Sequence, residues 1–206
     1  MQKVQFLPLM GLLLLVDLCS KNLQMKRKKF LLTTVTALPA LAFAHLADFP
    51  TQTKTPFVVK AGKSRFGEPM KYRGVHPNDV IISKKDTNNA LSLFAFTGYA
   101  KVGPSLHMHL HQDEFFNVVE GSYRFVVGDQ TMQLSAGDTI FLPRNIPHSW
   151  LQLTDQGKLL YAVQPAGTLE EFFSELNDLK KPPTEDEIKK IHKKHGMKLV
   201  GPGLTL

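Results

Sequence analysis

The chain has 206 residues, 43% of them hydrophobic, a formal net charge of +7 and a single cysteine. This length predicts one domain with a core large enough to be stable without disulfides. The excess charge lies near the start, because residues 1–44 hold six of the 25 basic residues and one of the 18 acidic ones. The other 19 basic and 17 acidic residues give a net charge of +2, and such a near-neutral domain excludes nucleic acid as an expected partner.

Residues 1–44 are predicted to be an export leader rather than part of the domain. Basic residues within 25–29, an apolar run over 30–43 and the triplet Ala42-Phe-Ala44 are the charged, apolar and cleavage regions of a signal peptide. The signal peptide itself is therefore placed at 25–44. The mature protein is expected to be exported, either periplasmic or secreted.

The start codon and the export route are left open by the sequence. The apolar stretch 6–18 is either a membrane-directed segment or a leader ahead of a true start at Met25, and the second interpretation is favoured because Met25 begins a complete signal unaided. Residues 27–31 resemble a twin-arginine motif with Lys for the second Arg, but an ordinary signal is preferred. Neither apolar stretch reaches about 18 to 20 residues, so no stable membrane span is expected. Cys19 lies in the removed segment, which leaves the mature protein without a disulfide.

Residues 45–167 have the pattern of an all-β domain. Short alternating or apolar runs are separated by Gly, Pro, Asn and Asp, as in a sandwich or barrel. Gly128-Asp129 joins two alternating runs and predicts a tight primed turn. Many short antiparallel strands that must protect their edges favour a jelly-roll barrel. The clearest strands are 90–96, 115–119, 123–127 and 159–163.

Residues 168–206 are predicted to form a helical tail packed on the barrel or across a dimer contact. Thr168-Leu-Glu-Glu171 has the spacing of a capping box and opens an apolar stripe that ends before Pro182-Pro183. Thr184-Glu-Asp-Glu187 opens a second helix, which Gly196 ends. His192 and His195 lie on this second helix among four lysines and are expected on the solvated surface.

Three histidines and one glutamate carry the chemical signal. His107 and His109 point the same way from one strand, because strand side chains alternate between faces. Glu114 does not share that parity unless a turn intervenes, and the polar residues within 110–113 predict one. His148 follows in a second Gly-and-Pro-containing segment that begins at Gly137.

The two segments that contain these residues resemble the two signature motifs of the cupin superfamily. His107, His109, Glu114 and His148 stand where that family keeps its metal ligands, whereas Gln152 replaces a usual Asn. A wider similarity over 56–179 is to single-domain cupins of the quercetin 2,3-dioxygenase-like kind. The resemblance implies a cupin jelly roll, or double-stranded β-helix, ahead of the two C-terminal α-helices that the spacing of the tail predicts. It also makes a homodimer reasonable.

A divalent transition metal is the cofactor implied by this ligand set. Imidazole and carboxylate suit iron, manganese, nickel, cobalt, copper or zinc and do not choose among them. Glu114 is then both a ligand and the catalytic general base. Counting by twos from the ligands places four side chains around a substrate pocket, and His111 is either a rim residue or a substitute ligand. The four are Phe116, Val118, Trp150 and Gln152.

Three functions compete for such a site. The resemblance to quercetinases favours a dioxygenase that uses O2 on a flavonol-like or enediol substrate. The aromatic pocket, with no phosphate-binding loop or basic cluster near the motifs, favours a small, flat or partly apolar substrate over a phosphorylated one. The second is a metal-dependent isomerase or lyase of a small enolisable molecule. The third is a non-catalytic barrel that binds a small ligand. The fold alone does not rank them, because one barrel hosts many chemistries.

Overall fold

The computed structural model describes residues 53–67 and 70–206. The predicted export leader, its signal peptide and Cys19 lie outside the described residues. Within them, no helix is both long enough and apolar enough to cross a membrane.

Strands dominate the described part of the chain, and two helices lie near its end. The elements in chain order are β1 (Met70–Tyr72), β2 (His76–Ile82), β3 (Ser92–Gly98), β4 (Ser105–His109), β5 (Asp113–Glu120), β6 (Ser122–Val127), β7 (Gln130–Ser135), β8 (Thr139–Leu142), β9 (His148–Gln152), β10 (Gly157–Gln164), α1 (Leu169–Asn177), α2 (Glu185–Lys194) and β11 (Met197–Gly203). The prediction of an all-β fold with two C-terminal helices is confirmed.

Two antiparallel sheets make up the barrel. One has the strand order β1-β2-β3-β10-β5-β8 and the other has the order β11-β4-β9-β6-β7. Non-consecutive neighbours in both sheets mean that the chain crosses between them repeatedly, as a jelly roll requires. Side chains from both sheets meet in one core.

Alternating burial explains why these segments form half-buried strands. In β3 every second residue from Ser92 to Gly98 is buried, and β5 alternates in the same way from Glu114 to Val118. Strand β10 lies between β3 and β5 and pairs Tyr161 with both Phe94 and Phe116. The ring of Tyr161 stacks on both phenylalanines with centroids 5.0 Å away. These aromatic contacts fix the register of the three central strands.

The predicted tight turn between β6 and β7 is present. Val127 pairs with Gln130, which leaves Gly128 and Asp129 as the two turn residues. Gly128 has a φ of 60°. A left-handed first turn residue matches the twist of the two strands, and glycine adopts it without a Cβ clash.

The two helix starts differ from one another. At α2 the Thr184 side chain accepts a hydrogen bond from the Glu187 N–H, and the Glu187 carboxylate accepts one from the Thr184 N–H, so the predicted capping box is confirmed. At α1 the predicted capping box is wrong, because Thr168 makes no side-chain cap hydrogen bond. Glu171, the glutamate of that box, instead forms an ion pair with the Lys84 ammonium, and its neighbour Glu170 accepts hydrogen bonds from Ser83 Oγ and the Lys84 N–H.

The tail is not helical throughout. After Gly196, whose φ of 72° ends α2 in the predicted place, the chain extends into β11. This strand pairs antiparallel with β4, so that Met197 lies opposite His109 and Leu199 opposite His107. The last strand therefore covers the edge of the strand that carries two of the clustered histidines.

Candidate metal centre

The four residues singled out in the sequence come from three strands in both sheets. His107 and His109 lie on β4, His148 lies opposite His107 on β9, and Glu114 lies on β5 in the other sheet. A bend at 110–111 separates β4 from β5, so the predicted change of direction is confirmed. It is this bend that brings Glu114 back toward the histidines.

The side chains of these four residues converge. One ligand atom from each lies within 4.8 Å of the others. Glu114 Oε2 lies 3.3 Å from His148 Nε2 and 3.8 Å from His109 Nε2. His109 and His148 are only 1% exposed, Glu114 is buried and His107 is half-buried.

Each imidazole has its Nδ1 atom engaged by an oxygen. His107 Nδ1 donates to the Ser105 carbonyl at 2.8 Å, and His148 Nδ1 donates to the Ile146 carbonyl at 3.0 Å. His109 Nδ1 donates to Gln112 Oε1 at 3.0 Å. A ring that donates from Nδ1 presents the Nε2 lone pair, so all three rings are set as Nε2 ligands.

Burial keeps two of these rings, those of His107 and His109, neutral. The pKa of His107 is well below its ordinary value because of desolvation and, next, the neighbouring His148 and His109. Desolvation likewise lowers the pKa of His109 despite the carboxylate of Glu114. Neutral imidazole is the form that binds a metal, so no proton has to be displaced from these two rings at neutral pH.

The cluster fits a divalent metal ion. Among the described atoms, His148 Nε2 is buried without a hydrogen-bond partner. A buried polar atom without a partner is costly unless something else fills its need. Metal bonds to imidazole and carboxylate are about 2.0 to 2.2 Å long, so ligands of one ion lie roughly 3 to 4.5 Å apart, close to the spacing seen here.

A cavity of about 590 Å³ opens beside the cluster. His107, His109 and Glu114 line it, and so do two of the predicted pocket residues, Phe116 and Trp150. Further aromatic walls come from Phe96, Tyr161, Phe172 and Phe173. This volume suits a small organic molecule.

The other three residues predicted for the pocket lie away from the cavity wall. Val118 is fully buried in the core. Gln152 is also fully buried, and its amide donates to the carbonyls of Gly98 and Thr154, so it ties strand ends together. His111 is exposed beyond the end of β4.

The prediction that His192 and His195 are solvated is wrong. They are 8% and 6% exposed, because they lie on the face of α2 that packs inward while the lysines occupy the other faces. His195 Nε2 lies 2.7 Å from Glu175 Oε2. His192 lines the cavity, packs on Phe172 and lies 6.1 Å, ring to ring, from His107. His192 follows Ile188 by four residues, so the two side chains lie on the same face of the helix. This spacing could have indicated from the sequence that the His192 face packs inward.

Asn78 is a second cavity residue that the motifs do not indicate. It lies on β2, is 1% exposed and accepts a hydrogen bond from the Tyr161 hydroxyl at 2.8 Å. Desolvation, and next the charge of Glu114, raises the pKa of Tyr161 well above its ordinary value, which keeps this hydroxyl a donor. Asn78 is 29 residues ahead of His107 in the sequence, so neither motif contains it.

Comparison with known families supports the same fold. Residues 98–163 match the family model for the cupin domain. This match contains His107, His109, Glu114 and His148. No curated protein matches the chain. The quercetin 2,3-dioxygenase-like subtype therefore stays a prediction.

Solved structures with a similar fold include several cupins. KdgF from Halomonas sp. has 15% sequence identity and a TM-score of 0.46, covering 54% of this chain and 94% of that one. An RmlC-like cupin from Shewanella frigidimarina has 24% identity and a TM-score of 0.44, covering 50% and 90% respectively. A predicted oxalate decarboxylase from Thermotoga maritima has 17% identity and a TM-score of 0.42, covering 44% and 80%.

Proposed function

We propose that this protein is a metal-dependent dioxygenase that acts on a flat organic substrate of the flavonol or enediol type. The observation that carries the proposal is the convergence of three imidazoles, whose Nδ1 atoms are engaged elsewhere, and one carboxylate beside an aromatic cavity. A bound first-row transition metal supplies Lewis-acid and redox chemistry at such a ligand set. His107, His109, Glu114 and His148 are the residues that would hold it.

The cavity walls favour a planar substrate. Phe96 and Trp150 meet edge to face with ring centroids 5.1 Å apart, and Phe116 lies 6.5 Å from Trp150. Flat rings stack well against such walls and displace water from them. The substrate is thereby held with its oxygen atoms toward the ligand cluster.

Glu114 is the residue proposed to move the proton. Its Oε2 lies inside the cluster, and Glu114 lines the cavity, so a substrate hydroxyl beside the cluster is within reach of this carboxylate. Loss of the hydroxyl proton to Glu114 makes the substrate electron-rich and open to oxidation. In the complete reaction both atoms of O2 enter the product, one carbon–carbon bond breaks, and the substrate supplies the electrons that reduce O2.

The experiment compares metal content and oxygen uptake in wild type and Glu114→Gln. Wild-type protein purified from its own host should contain one divalent metal per chain by elemental analysis and consume O2 with a panel of flavonols and enediols. Glu114→Gln should retain more metal than activity, with at least a tenfold larger loss in turnover, because general-base catalysis contributes roughly 10²-fold or more.

Glu120→Gln is the matched control. Glu120 lies on the same strand β5 but its carboxylate is exposed and bonded to Lys158. This variant should keep both metal and activity. Equal loss of metal and turnover in Glu114→Gln would contradict the base role. Substrate turnover without oxygen uptake would replace the dioxygenase with an isomerase or lyase, and binding without turnover would favour a ligand-binding barrel.

A further inference from the structure

Basic residues gather at the mouth of the cavity. Lys71, Arg73, Lys180 and Lys181 all line it. Of the described lining residues only Glu114 is acidic, and it belongs to the candidate metal cluster. Arg73 and Lys180 are more than one hundred residues apart in the sequence, so the fold alone brings these charges together.

A hydrogen bond between β1 and α1 assembles this mouth. The Lys71 N–H donates to Asn177 Oδ1 at 3.1 Å. The end of α1 is therefore tied to the first strand. Residues 179–183, which follow α1 directly, then line the same cavity as Lys71 and Arg73.

Arg73 is held in a specific place. It lies in the turn between β1 and β2 with a φ of 50°, in the left-handed region that non-glycine residues rarely adopt. Its Nη2 donates to the Gly103 carbonyl at 3.0 Å. The guanidinium also hydrogen-bonds the Tyr72 side chain, and its Cζ lies 5.6 Å from the centroid of that ring. These two bonds leave other donors among the five guanidinium N–H groups for a further acceptor.

No acidic side chain neutralises these cations within the described residues. None of the four has a carboxylate oxygen within 4.0 Å of its charged group, whereas six other Lys and Arg side chains of the described residues do. Lys181 does influence Glu187 electrostatically, but Glu187 is engaged in the cap of α2. The mouth therefore has an excess of positive charge available to a ligand.

A buried donor deeper in the cavity also lacks an acceptor. The Oδ1 atom of Asn78 is occupied by Tyr161, while Nδ2 has no hydrogen-bond partner among the described atoms. Asn78 lines the cavity and is 1% exposed. A buried donor without a partner costs stability, so Asn78 is a polar position in a cavity wall that is otherwise largely aromatic.

We propose that the substrate is a planar organic carboxylate, bound with its carboxylate at Arg73. Arg73 bonds Gly103, and Gly103 precedes His107 by four positions, so their backbones are at most about 14 Å apart. A molecule of one or two rings bridges that distance to the metal cluster. The proposal rests on the proposed function for its chemistry, but its binding claim is tested without turnover.

The test is the binding of cinnamate and of its uncharged isostere cinnamamide. Trp150, the only tryptophan in the chain, lines the cavity, so its fluorescence reports ligand entry. Metal-loaded wild type should bind cinnamate about tenfold more tightly than cinnamamide, as one charge-assisted hydrogen-bonded pair supplies. Arg73→Gln should weaken cinnamate about tenfold and leave cinnamamide unchanged. The same preference should persist after the metal is removed by chelation.

Two further variants keep the test independent of the folding of Arg73→Gln. The double change Lys180→Gln and Lys181→Gln removes exposed charges and should weaken cinnamate about threefold at low salt and less at high salt. Arg124→Gln is the matched control, because Arg124 also donates to a backbone carbonyl, that of Thr205, but does not line the cavity. It should change neither affinity.

Equal binding of the two probes, or a preference that survives Arg73→Gln, would overturn the proposal. So would failure of both probes to bind. If the protein binds no metal and consumes no O2 but still prefers cinnamate to cinnamamide, the proposed dioxygenase is refuted and this inference stands. Oxygen uptake with neutral substrates, without any carboxylate preference, would refute only this inference.

Discussion

Gln112 joins the candidate metal centre to a distant loop. Its Oε1 accepts from His109 Nδ1, and its Nε2 donates to the carbonyls of Pro165 and Ala166 at 3.2 and 2.6 Å. The donor bonds determine which way the amide faces, so the oxygen is presented to the imidazole. The orientation of His109 thus depends on residues beyond the end of β10.

We expect Gln112→Leu to weaken metal binding by about tenfold or more, since loss of a partner that orients a ligating imidazole typically has this effect. Competition against a chelator of known affinity measures the change. Gln133→Leu is the control, because Gln133 also donates from its amide, to Ser122, but lies on an exposed strand. Unchanged affinity in Gln112→Leu would mean that packing alone orients the His109 ring.

The sequence was informative for the four ligand positions and uninformative for their supports. Strand alternation and the intervening turn are local properties, so His107, His109 and Glu114 could be placed from their spacing. The partners of Gln112 are 53 and 54 residues away, and only the folded sheet brings them close. Asn78 and Arg73 were missed for the same reason.

The two tail helices provide a paired test of capping. Thr184→Ala removes a side-chain bond to the Glu187 N–H and should lower the free energy of unfolding by about 1 kcal/mol. Thr168→Ala removes no cap bond at α1 and should cost much less. Urea denaturation of both variants measures the difference. Equal destabilisation would contradict a stabilising role for the Thr184 cap.

Helices and strands were predictable from the sequence where the pattern of side chains determines the element. They were not predictable where pairing with a distant strand determines it. Strands β3 and β5 alternate clearly and were expected, as was α2 with its cap. Strand β11 was missed because it contains Gly201, Pro202 and Gly203, residues that indicate turns. Its extended form comes from pairing with β4, a tertiary effect that overrides local preference.

Asp86 makes the stability of the whole domain sensitive to acid. Its carboxylate accepts from Arg65 Nε and Nη2 at 3.1 and 3.0 Å, from the Ser83 N–H at 3.0 Å and from Thr53 Oγ1 at 3.0 Å. Burial raises the pKa of Asp86, but these hydrogen bonds outweigh burial and hold the pKa below its ordinary value. The group therefore stabilises the fold above the ordinary carboxyl pKa of about 4, and this stabilisation is lost as pH falls through the lowered value.

Asp86→Asn should therefore lower stability at neutral pH and make stability fall less steeply below about pH 4. The measurement is the denaturant midpoint of wild type and Asp86→Asn at a series of pH values from about 2 to 7, which spans the ordinary carboxyl pKa. Asp129→Asn, in the exposed β6–β7 turn, should leave the slope unchanged. An unaltered slope in Asp86→Asn would assign the acid sensitivity to other carboxylates.

At the scale of the molecule, the class of fold was predictable and the cavity was not. Many short strands with regular breaks indicate a jelly roll, and the cupin-domain match over 98–163 agrees. The positive charge at the cavity mouth comes from β1, from the turn between β1 and β2 and from the segment after α1. None of these contains a recognisable sequence motif, so the charge could not be predicted. The export leader and the homodimer stay predictions.

The pairing of β11 with β4 has a consequence for folding. Until residues 197–203 pair with it, β4 has one edge that lacks its neighbour. Because an unpaired edge is open to wrong partners, an incompletely folded barrel is exposed to misassembly at this edge. Metal binding at His107 and His109 is accordingly expected to follow the docking of the last strand.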